Sequence, residues 1–130
     1  MHFLINFKKK SDIMTTQQVA DRLVELCRQG QIDTAQQELY ADDVTSMEPN
    51  DTPMKEVKGK AALAEKSKMF QSMIEEFHGA TISDPIVGGS YFSISWSMDV
   101  TMKDRGRSTM EEICLYQVKD GKVVSEAFFF

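Results

Sequence analysis

Apolar residues recur along this chain at two spacings, and the change from one to the other falls past its midpoint. Thr15 followed by Gln18 is a capping-box pattern, and Val19, Leu23, Leu26 and Cys27 follow at helical spacing. Gly30 then closes this first helix. A second, shorter helix is predicted from near Asp33, which can cap it, to about Ala41, with Ala35 and Leu39 facing inward. Val44 to Glu48 reads as a short strand, and the proline-flanked segment 49–53 as a loop. Behind Gly59, the residues Leu63, Phe70, Met73, Ile74 and Phe77 lie on one stripe of a longer third helix, whose end is expected at His78.

After Gly79 the period becomes two. A strand from about Ala80 to Val87 leads into Gly88-Gly89, a strong hairpin signal, with Asp84-Pro85 an irregularity because proline cannot donate to a ladder. Phe92, Ile94, Trp96, Met98, Val100 and Met102 then take one face of a strand, and Ser93, Ser95, Ser97, Asp99 and Thr101 the other. The segment 103–107 turns the chain into a strand from Ser108 to Val118. A turn at Lys119-Asp120-Gly121-Lys122 leads into the last strand, Val123 to Phe130. Strands joined by such short turns pair antiparallel, and three amphipathic helices are available to cover their apolar face. The fold class is therefore α+β, with the helices of the N-terminal half packed on one side of a curved sheet.

Length and composition narrow the function without naming it. At 130 residues the chain is the size of one domain, and 42% hydrophobic with 27% charged residues is ordinary for a globular protein. A net charge of −5 argues against non-specific binding to nucleic acid. The apolar segment His2 to Phe7 is too short for a signal core and its lysines follow it. No stretch approaches the roughly 20 apolar residues of a membrane span. Residues 1–13 read as a tail, or as a segment ordered only against a partner chain, and residues 14–130 as the domain. Cys27 and Cys114 lie far apart and match no zinc spacing, so neither a metal nor a cofactor is expected, and a reducing cytoplasm fits.

Three stretches resemble a known family. Leu39-Tyr40-Ala41-Asp42-Asp43-Val44 looks like the entry from the second helix into the first strand of SnoaL-like domains. Val57-Lys58-Gly59-Lys60-Ala61-Ala62-Leu63 resembles their entry into helix three, and Asp120-Gly121-Lys122-Val123-Val124-Ser125-Glu126 their turn into the last strand. The resemblance covers about residues 16–130. It implies a cone-shaped sheet of the nuclear-transport-factor-2-like, or cystatin-like, type with an apolar pocket inside. Family members include polyketide cyclases, ketosteroid isomerases and dehydratases, so the fold does not fix the chemistry.

The resemblance also points to residues. The segment from Tyr40 to Pro49 puts Glu48 where ketosteroid isomerases carry their aspartate base, and Glu112 falls at the place of their protonated oxyanion donor. Alternation sets Glu112 on one face with Met110, Cys114 and Tyr116. The isomerases' oxyanion tyrosine maps to Leu23, and the last-strand acid of the cyclases to Phe128, so each of those reactions lacks a group here. Beside the two carboxylates, the expected ligand wall comprises Leu23, Cys27, Tyr40, Phe70, Trp96 and Met98, together with Met110, Cys114, Tyr116, Phe128 and Phe130.

Three functions follow from this reading. The chain is a cofactor-independent isomerase, cyclase or dehydratase acting on a small apolar carbonyl compound of polyketide or steroid type. Alternatively it binds such a ligand without changing it, or it serves as a dimeric assembly module. A homodimer formed through the sheet is expected in each case, because Ile113 and Leu115 make an apolar patch on the outer face.

Overall fold

A computed structural model describes residues 12–49 and 55–130. The expected tail lies outside the described residues up to position 11, as does the loop over 50–54. The elements run in the order α1 (Thr16–Arg28), α2 (Ile32–Leu39), β1 (Tyr40–Met47), β2 (Glu56–Lys58), α3 (Lys60–Met73) and β3 (Ile74–Ile82). They continue with β4 (Ile86–Gly88), β5 (Tyr91–Met102), β6 (Gly106–Lys119) and β7 (Lys122–Phe129). The strands form a curved sheet in the order β2-β1-β7-β6-β5-β3, with β4 paired to β5. Every pairing is antiparallel except β1 with β7.

The first helix forms as its residues require. Thr15 accepts from the Gln18 amide, and the Gln18 side chain accepts from the Thr15 amide, satisfying two donors the helix cannot satisfy itself. Val19, Ala20, Leu23, Val24, Leu26 and Cys27 are buried from this helix, and Gly30 follows it at φ +73°, a conformation that only glycine adopts without strain. The second helix is capped by Gln31 without a side-chain bond, so Asp33 is a first-turn acid and not the expected cap.

Two further boundaries differ from the sequence expectation. The first strand begins at Tyr40, not Val44. Helix three ends at Met73, and Ile74, Phe77 and His78 belong to β3. Phe77 lies seven residues beyond Phe70 and so imitates a helical stripe, yet it is 58% exposed on the strand. Register shifts between Ile74 and Glu76 and between Phe77 and Gly79 break the two-residue period that would have marked the strand. His78 therefore does not sit at a helix C-terminus; its Nε2 meets Thr101 Oγ1 at 2.8 Å across the sheet. The hairpin at Gly88-Gly89 and the interruption around Asp84-Pro85 stand as expected.

The core lies between the helices and the inner face of the sheet. Val19, Leu23, Leu26 and Leu39 meet Phe92, Ile94, Cys114, Tyr116 and Val123 there, with Phe92 and Tyr116 stacked at 4.7 Å between ring centres. Gly121 is a point of close approach: it holds φ +75°, and a Cβ on it would come within 2.8 Å of the Ile13 side chain.

Candidate functional site

The inner face of the sheet carries a line of polar groups. In the parallel pairing of β1 with β7, Ser46 stands beside Glu126, and both are buried. Ser46 Oγ donates to Glu126 Oε1 at 2.8 Å, and the Tyr40 hydroxyl donates to Glu126 Oε2. Lys66 reaches down from α3, donates to Ser46 Oγ at 3.0 Å and pairs with Glu48 at 2.7 Å. Its ammonium also lies 5.2 Å from the centre of the Phe128 ring. The line thus runs from Glu48 through Lys66 and Ser46 to Glu126 and Tyr40, every link a hydrogen bond or an ion pair.

Glu112 lies beside this line on β6. The Cys114 thiol, two residues on, donates to its Oε1 at 3.6 Å. Burial, reinforced by the negative charges of Glu48 and Glu126, pushes the Glu112 carboxyl up to about 7, while Cys114 and Lys66 act in the other direction. Burial likewise raises the Glu126 carboxyl, against the bonds from Tyr40 and Ser46 and the charge of Lys66. Both thiols are held protonated: burial pushes Cys27 up to about 12, and Cys114 still higher. Neither can serve as a thiolate nucleophile near neutral pH. Among the described residues, no cluster of side chains could hold a metal ion.

The residues expected to form a ligand wall fall in several environments. Leu23, Cys27, Tyr40, Cys114 and Tyr116 are buried in the core cluster, with Trp96 and Phe128 packed against it. Register sets Met98 opposite Met110 and Trp96 opposite Glu112 on the same face. Phe70 is half-buried on α3, whereas Phe130 is 70% exposed at the chain end. The Trp96 indole Nε1 is buried and has no hydrogen-bond partner among the described residues. An open hollow of about 310 Å³ borders Trp96, Glu112, Ser95, Ser97, Glu111, Ile113 and Phe129, where β5 and β6 meet the end of β7.

Three members of the polar line, Ser46, Lys66 and Glu126, were not among the expected site residues. Each carried a signal. Lys66 falls three residues after Leu63 and four before Phe70, on the apolar stripe of α3, where a lysine must find a partner. Glu126 shares the face of Phe128 by alternation. Ser46 stands two residues before Glu48, so alternation sets the two on one side.

Comparison with known proteins agrees with this architecture. The sequence profile of the SnoaL-like domain family matches residues 14–130. A crystal structure from Mesorhizobium loti, provisionally named a SnoaL-like polyketide cyclase with carbohydrate phosphatase as a second name, is 39% identical. That match covers 90% of this chain and 100% of the other, with a TM-score of 0.85. A protein of unknown function with a cystatin-like fold from Xanthomonas campestris matches with a TM-score of 0.76 at 16% identity, covering 89% of this chain and 90% of its own. A nuclear-transport-factor-2-like protein of unknown function from Burkholderia pseudomallei gives 0.72 at 16% identity, over 90% and 92%. Among curated proteins none matches. With a profile match over nearly its whole length and a close structural relative of the same description, the chain belongs to the SnoaL-like domain family, on the cone-shaped α+β fold of nuclear-transport-factor-2-like proteins.

Proposed function

We propose that this domain binds a small, mostly apolar carbonyl compound against the inner face of its sheet and moves a proton on it without a cofactor, with Glu112 carrying the proton. One observation carries the reading: a half-buried carboxyl, beside two other glutamates and bonded only by a thiol, is raised towards neutral pH, where it can both take and return a proton. The ionised Glu112 removes a hydrogen from the carbon next to the carbonyl. The C–H electron pair moves towards the carbonyl oxygen, and the protonated Glu112 returns the hydrogen to the same or a neighbouring carbon.

The roles expected for the two carboxylates change accordingly. Glu48 is engaged by Lys66, which favours an electrostatic part for it: it holds the ammonium in place and raises Glu112. The names of the Mesorhizobium loti relative, cyclase among them, are compatible with small-molecule chemistry of this kind.

The test is hydrogen–deuterium exchange at the α-carbons of 2-tetralone, followed with and without the protein. Glu112→Gln is expected to lower the catalysed rate by about 10²-fold or more while leaving the fold intact. The acid limb of the wild-type rate should fall near pH 7, and Glu48→Gln should move it to lower pH, since Glu48 raises the carboxyl and the released Lys66 lowers it. Exchange by a folded Glu112→Gln variant at the wild-type rate would overturn the assignment and leave ligand binding without chemistry.

The outer face supports self-association. Ile113 is 49% exposed and stands opposite Phe129, 54% exposed, while Leu115, Ala127 and Met47 align across three neighbouring strands. A second copy laid sheet to sheet would cover this apolar surface. The free, buried cysteines suit a reducing, cytoplasmic setting. Among the described residues, no helix is long and apolar enough to cross a membrane.

A further inference from the structure

The tryptophan on β5 is the one place among the described residues where a buried side-chain N or O atom lacks a hydrogen-bond partner. Buried donors are nearly always satisfied, and an indole N–H usually finds an acceptor when its ring is packed away. Across the sheet Trp96 stands between Ile82 on β3 and Glu112 on β6, and its same-face neighbours along β5 are Ile94 and Met98. Of these only Glu112 carries a strong acceptor, and its bond is the long one from the Cys114 thiol to Oε1. The other polar groups of this face are already engaged: Tyr40 and Ser46 with Glu126, and Glu48 with Lys66.

Directly opposed residues on neighbouring antiparallel strands hold their Cβ atoms about 4.5–5.5 Å apart, so the Trp96 and Glu112 side chains are neighbours on the inner face. We propose that the Trp96 indole N–H is the donor that orients the bound ligand, hydrogen-bonding its carbonyl oxygen while the adjacent carbon faces Glu112. This rests on the reading of the inner face as a carbonyl-binding surface. It adds a selectivity: a ligand with an oxygen acceptor at one edge gains the indole hydrogen bond, and a hydrocarbon of the same shape binds more weakly because it forgoes that bond. The position opposite the sheet at Leu23 supplies no such donor, so this donor comes from β5 and not from α1.

Acetophenone and α-methylstyrene share a shape and differ in having C=O or C=CH2, which makes them suitable probes. Trp96 is the chain's single tryptophan, so its indole ¹H–¹⁵N resonance is unambiguous. The wild-type protein is expected to bind acetophenone about tenfold more tightly than α-methylstyrene, and only acetophenone should shift the indole proton downfield. Trp96→Phe should erase the preference by weakening acetophenone alone. An indole resonance unmoved by saturating acetophenone, or a preference that survives in Trp96→Phe, overturns the proposal, as does equal affinity for the two probes. The indole resonance is read on the wild-type chain and does not depend on the variant folding. Failure of both probes to bind would remove the carbonyl-binding surface itself. A shifted indole with unchanged exchange in Glu112→Gln would remove the chemistry and leave the donor standing.

Discussion

At the scale of single residues, the chain places three glutamates within one electrostatic neighbourhood and gives each a different environment. Glu48 has Lys66, Glu126 has two hydroxyl donors, and Glu112 has only a thiol. The least supported carboxyl is thus left near neutrality, as happens when burial and like charge outweigh hydrogen bonding. Stability should record this. The folded protein holds the Glu112 proton more tightly than the unfolded chain does, so its contribution is fully present below about pH 4.5 and is lost as pH rises through about 7. The amount is on the order of 3 kcal/mol. Urea midpoints should therefore fall between those pH values in the wild type, and fall less in Glu112→Gln, which should be the more stable protein at pH 8. Parallel curves for the two proteins would contradict a raised carboxyl.

At the scale of elements, local signals were strong where one element answered to one rule. The capping box at Thr15 and Gln18 is present with both of its bonds, and Thr15→Ala should lower stability by about 1 kcal/mol in a denaturation experiment. Equal stability of the two proteins would show that α1 is held by its packing alone. The alternation of β5, the turn at Gly88-Gly89 and the turn at Asp120-Gly121 are likewise as their residues indicate. Legibility failed where two rules competed. Met73, Ile74 and Phe77 continue the apolar spacing of α3, but the chain passes into β3 at Ile74, which pairs with Met102. Sheet pairing overrides helical periodicity there, because α3 buries little beyond Leu63 and the strand gains a ladder along β5. The bulges that re-aim β3 are what hid it.

At the scale of the whole molecule, the outer face should decide assembly. The chain has a mass of 14.8 kDa, and light scattering is expected to give about twice that, with Ile113→Lys shifting the equilibrium to the single chain. A wild-type protein that scatters as one chain would contradict a sheet-to-sheet pair. The candidate site divides in the same way between local and distant causes. Glu48 and Glu112 were singled out by resemblance, and the inward positions of β5 and β6 by alternation. Lys66 and Glu126 could have been singled out as charges on apolar faces. Their joining could not, because Ser46 meets Glu126 only through the pairing of β1 with β7, strands 80 residues apart in the chain. The sequence by itself determined the first helix, the hairpins and the alternating faces of the long strands, which follow from short-range spacing and turn chemistry, and it carried the resemblance to the family. Only the tertiary structure decided which buried charges meet, why Glu112 is poised near neutral pH, and that the Trp96 indole is left without an acceptor. Each of those depends on burial and on neighbours from distant parts of the chain, which no local pattern records.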